Sequence, residues 1–230
     1  MSDEQSGMPF AQVQRPRPLP VLVLADVSGS MAQDGKIESL NAALDSMIKA
    51  FAGERSARGE ITVGVITFGG NGVDLHHPPL PASELEWTGM TAAGGPSGTP
   101  MGAAFELARA VLEDEELVPA RAFAPTLVLV SDGMPTSPWA AQLDELLACP
   151  HAAKALRLAV AIGPEAGSRA YHVLEAFVGD PIYPVVRAEE AARVTEIFKY
   201  ITQSISVRAT SARPEEIAVF DPDELYDLSD

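Results

Sequence analysis

Val21-Leu-Val-Leu-Ala-Asp26-Val-Ser28-Gly-Ser30 is the stretch on which the reading of this chain turns. Val21 to Leu24 form a short unbroken apolar run, which predicts a strand covered on both faces; a strand with one wet face would alternate. The run stops at an acid, two serines and a glycine. Beyond that break Ile37, Leu40, Leu44, Met47, Ile48 and Phe51 recur at three- and four-residue steps, the spacing of a helix with one buried stripe. The same order then repeats. Ile61 to Phe68 is β-branched and bounded by glycines, a second strand, and Gly69-Gly-Asn-Gly72 is a tight turn into an antiparallel edge strand near Val73–His76. A helix opens after Pro100 with Met101, Phe105, Ala108, Val111 and Leu112 on one face. Leu127–Val130 is a further buried strand, followed by a helix near Pro138–Ala148. Leu156–Ile162 and a helix near Ser168–Phe177 come next, then a short strand at Ile182–Val186 and a last helix at Glu189–Ser206. Strands alternating with helices of these lengths predict an α/β fold: a mostly parallel central sheet with one antiparallel edge strand and helices on both faces.

Composition agrees with one such domain. The chain has 230 residues, of which 47% are hydrophobic and 21% charged, enough for one sizeable core and too little for two. Lys and Arg number 16 against 32 Asp and Glu, a net charge of −16. That balance excludes general electrostatic binding to nucleic acid and opposes contact with an anionic membrane. Cys149 is the single cysteine, so no disulfide forms within the chain. No apolar run approaches the roughly 20 residues that span a bilayer. The start of the chain lacks the basic and apolar parts of a signal peptide, and a cytoplasmic location is expected. Residues 1–18 are polar and proline-broken, and read as a disordered N-terminal tail. Residues 19–207 form the expected domain. Residues 208–230 are an acidic C-terminal tail: from Pro214 onward it carries seven acids and no base. Val219, Phe220, Leu225, Tyr226 and Leu228 interrupt its charge, as in a short docking motif.

In sheets of this kind ligands bind beyond the carboxyl ends of the strands. After the first strand stand Asp26, Ser28 and Ser30. After Leu127–Val130 stand Ser131-Asp132-Gly133. A glycine-rich loop, Gly94-Gly-Pro-Ser-Gly98, delivers Thr99 before Pro100. Carboxylates and hydroxyls are hard oxygen donors, suited to Mg²⁺ or Mn²⁺. No Gly-Lys-Ser/Thr follows the glycines, so the loop is not a phosphate-binding P-loop. Thr99 also reads as a helix N-cap. His76 and His77 are adjacent, and a regular strand points them to opposite faces. Cys149 reads as a small apolar filler. Trp139 is a packing residue or a partner-binding anchor on the rim.

The run Asp26-Val27-Ser28-Gly29-Ser30, with Thr99 and Asp132, resembles the metal-ion-dependent adhesion site (MIDAS) of von Willebrand factor A domains, and the resemblance spans nearly all of residues 19–207. Gly95-Pro-Ser-Gly-Thr-Pro-Met-Gly102 and Val130-Ser-Asp-Gly-Met-Pro-Thr136 further resemble the bacterial tellurite-resistance TerY-like branch. Pro96-Ser97, inserted in the glycine loop, is a departure that makes Ser97 a rival to Thr99. The resemblance implies a three-layer Rossmann-like fold and a binding module rather than an enzyme. Asp26, Ser28, Ser30, Thr99 and Asp132 would hold Mg²⁺ or Mn²⁺, and a partner protein would supply a Glu or Asp to the ion. TerY-like proteins further imply a stress-response or phosphorylation-signalling setting, with a Ser/Thr kinase-like protein or a PP2C-type phosphatase as partner. Two readings compete with this adaptor. A haloacid-dehalogenase-like phosphohydrolase uses Asp-x-Asp, but Ser28 here replaces the acid that would donate a proton. A scaffold with a purely structural metal site is the other.

Overall fold

The computed structural model describes residues 16–54, 59–70, 72–95, 97–163, 168–180, 183, 185–188 and 191–212. Most of both expected tails, residues 1–15 and 213–230, lies outside the described residues. Among the described residues six strands form one sheet in the order β3-β2-β1-β4-β5-β6: β1 (Arg17–Asp26), β2 (Gly59–Gly69), β3 (Gly72–Pro81), β4 (Thr126–Ser131), β5 (Leu156–Ile162) and β6 (Val186–Ala188). Every pairing is parallel except β2 with β3. The helices are α1 (Lys36–Gly53), α2 (Met101–Glu113), α3 (Ala140–Ala148), α4 (Arg169–Val178) and α5 (Ala191–Thr210).

Strand alternation sorts the core into two layers. Val21, Val23, Val63, Val65, Val128 and Val160 face α1 and α5, whereas Leu22, Leu24, Ile66, Phe68, Leu127 and Leu129 face α2, α3 and α4. Both faces of the central strands are dry, which is why β1 and β4 read as continuous apolar runs and not as alternating ones. The sheet and its two helical layers are those the sequence predicts.

Boundaries differ where long-range contacts add residues. β1 begins at Arg17, two residues before the expected start of the domain. The Arg17 guanidinium donates to the carbonyls of Arg121 and Ala122 and lies 4.0 Å over the Phe123 ring. α5 continues past Val207 to Thr210, because Arg208, only 4% exposed, donates to the Ala124 carbonyl at 2.8 Å. Among the described residues the last strand pairs at Val186–Ala188, where the sequence predicts Ile182–Val186; Ile182 and Pro184 lie outside the described residues.

The two histidines depart most from expectation. β3 carries more residues than the stretch of β2 it faces: Leu75 pairs with Ile66 and His77 with Val65, leaving His76 as the extra residue of a bulge. The bulge brings both rings together, 4.8 Å apart, with each Nε2 within 3.4 Å of the Thr88 hydroxyl and each ring 5.5 Å from Trp87. Regular alternation, which would separate them, does not hold there. Burial, and then the neighbouring His76, push the His77 imidazole below its ordinary pKa.

Candidate metal centre

β1 and β4 are neighbours, yet the chain leaves β1 toward β2 on one side and returns to β4 on the other. The crevice at their carboxyl ends is therefore a topological switch point. Asp26 ends β1 and Ser131 ends β4, so register alone puts the Asp26 loop beside Asp132.

Asp26 is fully buried. Its Oδ1 accepts the Ser28 amide at 2.8 Å, and its Oδ2 accepts the Ser131 hydroxyl at 2.6 Å. Burial pushes its carboxyl pKa up; the bonds from Ser131 and Ser28 pull the other way, and the nearby Asp132 charge adds to the rise. Ser28 and Ser30 turn their Oγ atoms to 3.1 Å from one another, the consequence of alternate residues in a tight 3₁₀ turn at Gly29–Ala32. Ser30 then donates to Asp132 Oδ1 at 2.7 Å. Thr99 is 4% exposed and stands across Gly133 from Asp26; a Cβ placed on Gly133 would lie 3.4 Å from Thr99 Oγ1 and 3.9 Å from Asp26 Oδ2. The five sequence-derived positions are thus brought to one place.

The glycine loop is held against this turn by its backbone. Ala93 donates its amide to the Val27 carbonyl at 2.7 Å, and Gly70 and Gly98 form a lone antiparallel bridge. Ser97 accepts the Gly29 amide at 2.6 Å, so its hydroxyl serves as a latch between the two loops. Thr99 does not cap α2: no side chain caps that helix, whose N-cap is Pro100. Instead Thr99 exchanges bonds with Thr136. The Thr99 amide donates to Thr136 Oγ1 at 2.8 Å, and the Thr136 amide donates to the Thr99 carbonyl at 3.1 Å. Replacing Thr136 with Val should leave the Thr99 amide without its acceptor and cost about 1 kcal/mol in denaturant melts, with Thr136→Ser restoring the loss. A full-strength Thr136→Val protein would show that Thr99 is held by other means.

Sequence reading missed three participants. Ser131 bonds Asp26, Thr136 holds Thr99, and the Lys36 ammonium lies 2.7 Å from Asp132 Oδ2. Ser131 and Thr136 stand within the quoted strand-end segment and could have been flagged as hydroxyls there. Lys36 carries no local signal, since its partner is 96 residues away. Trp139 is half-buried against the core beneath α2, α3 and α4, while Met134 on the same loop is 52% exposed. Cys149 is 3% exposed and packs in that core, as a filler does.

The donor chemistry fits a hard divalent cation. Among the described residues no group of three or more His, Cys, Asp or Glu gathers to hold a metal, so hydroxyls must complete any coordination here. Two carboxylates at close quarters, one of them buried with its pKa raised, are an electrostatic cost that a cation relieves.

Comparison with known proteins places the fold. The sequence model of the family described as von Willebrand factor type A domain matches residues 21–134. No curated protein matches the chain significantly. Among solved structures, the vWF domain of the type V pili tip protein Mfa5 from Porphyromonas gingivalis is 11% identical with a TM-score of 0.61, covering 89% of this chain and 99% of that one. The von Willebrand factor type A protein from Catenulispora acidiphila is 17% identical with a TM-score of 0.58, covering 82% and 42%. Proximal thread matrix protein 1 of the mussel byssus, solved with a zinc-occupied MIDAS motif, is 14% identical with a TM-score of 0.58, covering 80% and 47%. At such identities the likeness is one of fold, and the chain spans less than half the length of several of the structures it resembles: 45% of the ArnB paralog VWA2 from Sulfolobus acidocaldarius and 47% of the mussel protein.

Proposed function

Taking residues 21–134 as a von Willebrand factor type A domain, we propose that this chain is a metal-dependent protein-binding adaptor. Asp26, Ser28, Ser30, Thr99 and Asp132 hold one Mg²⁺ or Mn²⁺, and the ion takes a Glu or Asp carboxylate from a partner protein. The observation that carries this reading is the continuous polar chain from Ser28 through Ser30 to Asp132, set beside a buried Asp26 at the switch point of the sheet. Neutral hydroxyls do not quench a divalent charge, so a further carboxylate is attracted to it. The net charge of −16 makes the ion necessary, since an acidic partner would otherwise be repelled.

The chain's own residues do the positioning. Ser131 and the Ser28 amide fix both Asp26 oxygens, and the Ser97 latch with the Ala93–Val27 bond fixes the loop turn. Thr91, Ala93, Gly94, Ser97 and Gly98, with Val27, Gly69 and Gly70, border a shallow polar cleft beside the turn, which suits an extended segment of a partner. We count the loops Met31–Gly35 and Met134–Trp139, which closely follow Ser30 and Asp132 in the chain, as the rest of the partner-contact rim; residues 164–167, which follow β5, lie outside the described residues. Commitment of both Asp26 oxygens to donors, and a serine at position 28, speak against a phosphoryl nucleophile with a partner acid. The domain is accordingly assigned to binding and not to catalysis.

The finer setting follows from the TerY-like segments. We place the protein in a bacterial, cytoplasmic stress-response or phosphorylation-signalling system of the tellurite-resistance kind, with a kinase-like protein or a PP2C-type phosphatase as the candidate partner. Residues 19–207 would be the working domain and the acidic tail a second docking element. The test is recovery of partners by the tagged full chain in Mg²⁺ and in EDTA, with Thr99→Ala alongside. A partner held in Mg²⁺ and lost in EDTA and in Thr99→Ala supports the adaptor. A partner retained equally in all three makes the metal site structural and moves recognition elsewhere.

A further inference from the structure

Lys36 is the residue at this site that the adaptor reading leaves unused. It is the first residue of α1, where the positive end of the helix dipole disfavours a cation. Its side chain is nevertheless largely buried, 18% exposed, and its Nζ lies 2.7 Å from Oδ2 of an Asp132 side chain that is 1% exposed. The other Asp132 oxygen accepts from Ser30. One oxygen of this carboxylate is therefore tied to the metal-facing hydroxyls and the other to a fixed positive charge. The ammonium also faces the end of β5: a Cβ on Gly163 would lie 4.0 Å from it. The Lys36–Asp132 pair lies within the centre itself, whereas Lys49–Asp45, Arg109–Glu145, His172–Glu175 and Arg193–Glu196 lie on the exposed faces of helices.

We propose that Lys36 is a built-in counter-charge that weakens the affinity of this centre for its divalent cation, so that firm retention of the ion needs the partner's carboxylate. This rests on the metal-site reading above. The physical reasoning is charge arithmetic. Asp26 and Asp132 together present two negative charges to an ion, and Lys36 cancels one of them before the ion arrives. A unit positive charge a few ångströms from a divalent ion opposes it on the order of tenfold in affinity even at the dielectric of water, and by more where the site is buried. A partner carboxylate restores the lost negative charge. Ion and partner therefore bind with positive coupling, and by linkage each strengthens the other equally.

The experiment is a Mn²⁺ titration of the full chain, followed by the electron paramagnetic resonance of free Mn²⁺. Wild type is compared with Lys36→Met, Lys36→Gln and Lys36→Arg, each first checked for a cooperative thermal melt. Lys36→Gln keeps a hydrogen-bond donor for Asp132 without the charge, and so covers the case in which Lys36→Met fails to fold. The charge-free variants should bind Mn²⁺ at least about tenfold more tightly than wild type, and Lys36→Arg should stay near wild type. Unchanged or weaker binding in Lys36→Gln, with wild type still binding, overturns the counter-charge and leaves the metal site standing. Tightening in Lys36→Arg equal to that in Lys36→Gln also overturns it, because charge is then not the cause. Absence of Mn²⁺ binding in wild type and every variant overturns both readings.

Discussion

Millimolar Mg²⁺ or Mn²⁺ should raise the melting temperature of the full chain by about 5–10 °C over the same protein in EDTA. An ion that binds the folded state alone adds about 2.7 kcal/mol at 100 times its Kd. In a chain of this length each kcal/mol moves the melting temperature by roughly 2–4 °C. Asp26→Ala combined with Ser28→Ala should abolish the difference. Asp26→Asn separates charge from shape, because an amide can keep bonds to the Ser28 amide and the Ser131 hydroxyl. Burial holds the Asp26 carboxyl above its ordinary pKa, so in EDTA its ionisation costs stability as the pH rises through that raised value. Asp26→Asn removes the cost; in EDTA at neutral pH it should melt no lower than wild type, and it should gain little from metal. Differential scanning calorimetry decides the matter. Equal wild-type melting temperatures in metal and in EDTA, or a full metal response in Asp26→Asn, count against the site.

The second large effect is expected at Gly29. A Cβ there would sit 2.0 Å from the Gly95 carbonyl oxygen, a backbone atom that cannot swing aside. Gly29→Ala must push the glycine loop off the Asp26–Ser30 turn and break the Ser97 latch, whose 2.6 Å bond ends on the Gly29 amide itself. Overpacking of this kind costs about 2 kcal/mol, a fall of roughly 4–8 °C in melting temperature. The metal response should fall with it, since the latched loop leads directly into Thr99. Gly69 bounds the same seam: a Cβ there would lie 2.4 Å from the Ser28 amide nitrogen, in a backbone conformation with φ of +155°. A Gly29→Ala protein with wild-type stability and an unchanged metal response would mean that the close approach of the two loops does not assemble the site.

The apolar runs at Val21–Leu24 and Leu127–Val130, and the spacing of Ile37 to Phe51, determined the alternating strands and helices of this protein. Those patterns are local: a strand dry on both faces and a helix dry on one must show it in consecutive residues. The hydroxyls and carboxylates at 26, 28, 30, 99 and 132 were legible for a related reason, because the carboxyl ends of parallel strands gather at one edge. Tertiary structure alone decided the rest. Which strands are neighbours, in the order β3-β2-β1-β4-β5-β6, depends on pairings between segments far apart in the chain. Lys36 meets Asp132 across 96 residues, Ser131 meets Asp26 across 105, and Arg208 holds the Ala124 carbonyl across 84. No periodicity records such contacts. His76 and His77 show the converse: alternation correctly describes an isolated strand, but the register against β2 inserts an extra residue and turns both rings to one place. Side-chain direction in a strand is a property of the pair of strands, and a single sequence contains only one of them at a time.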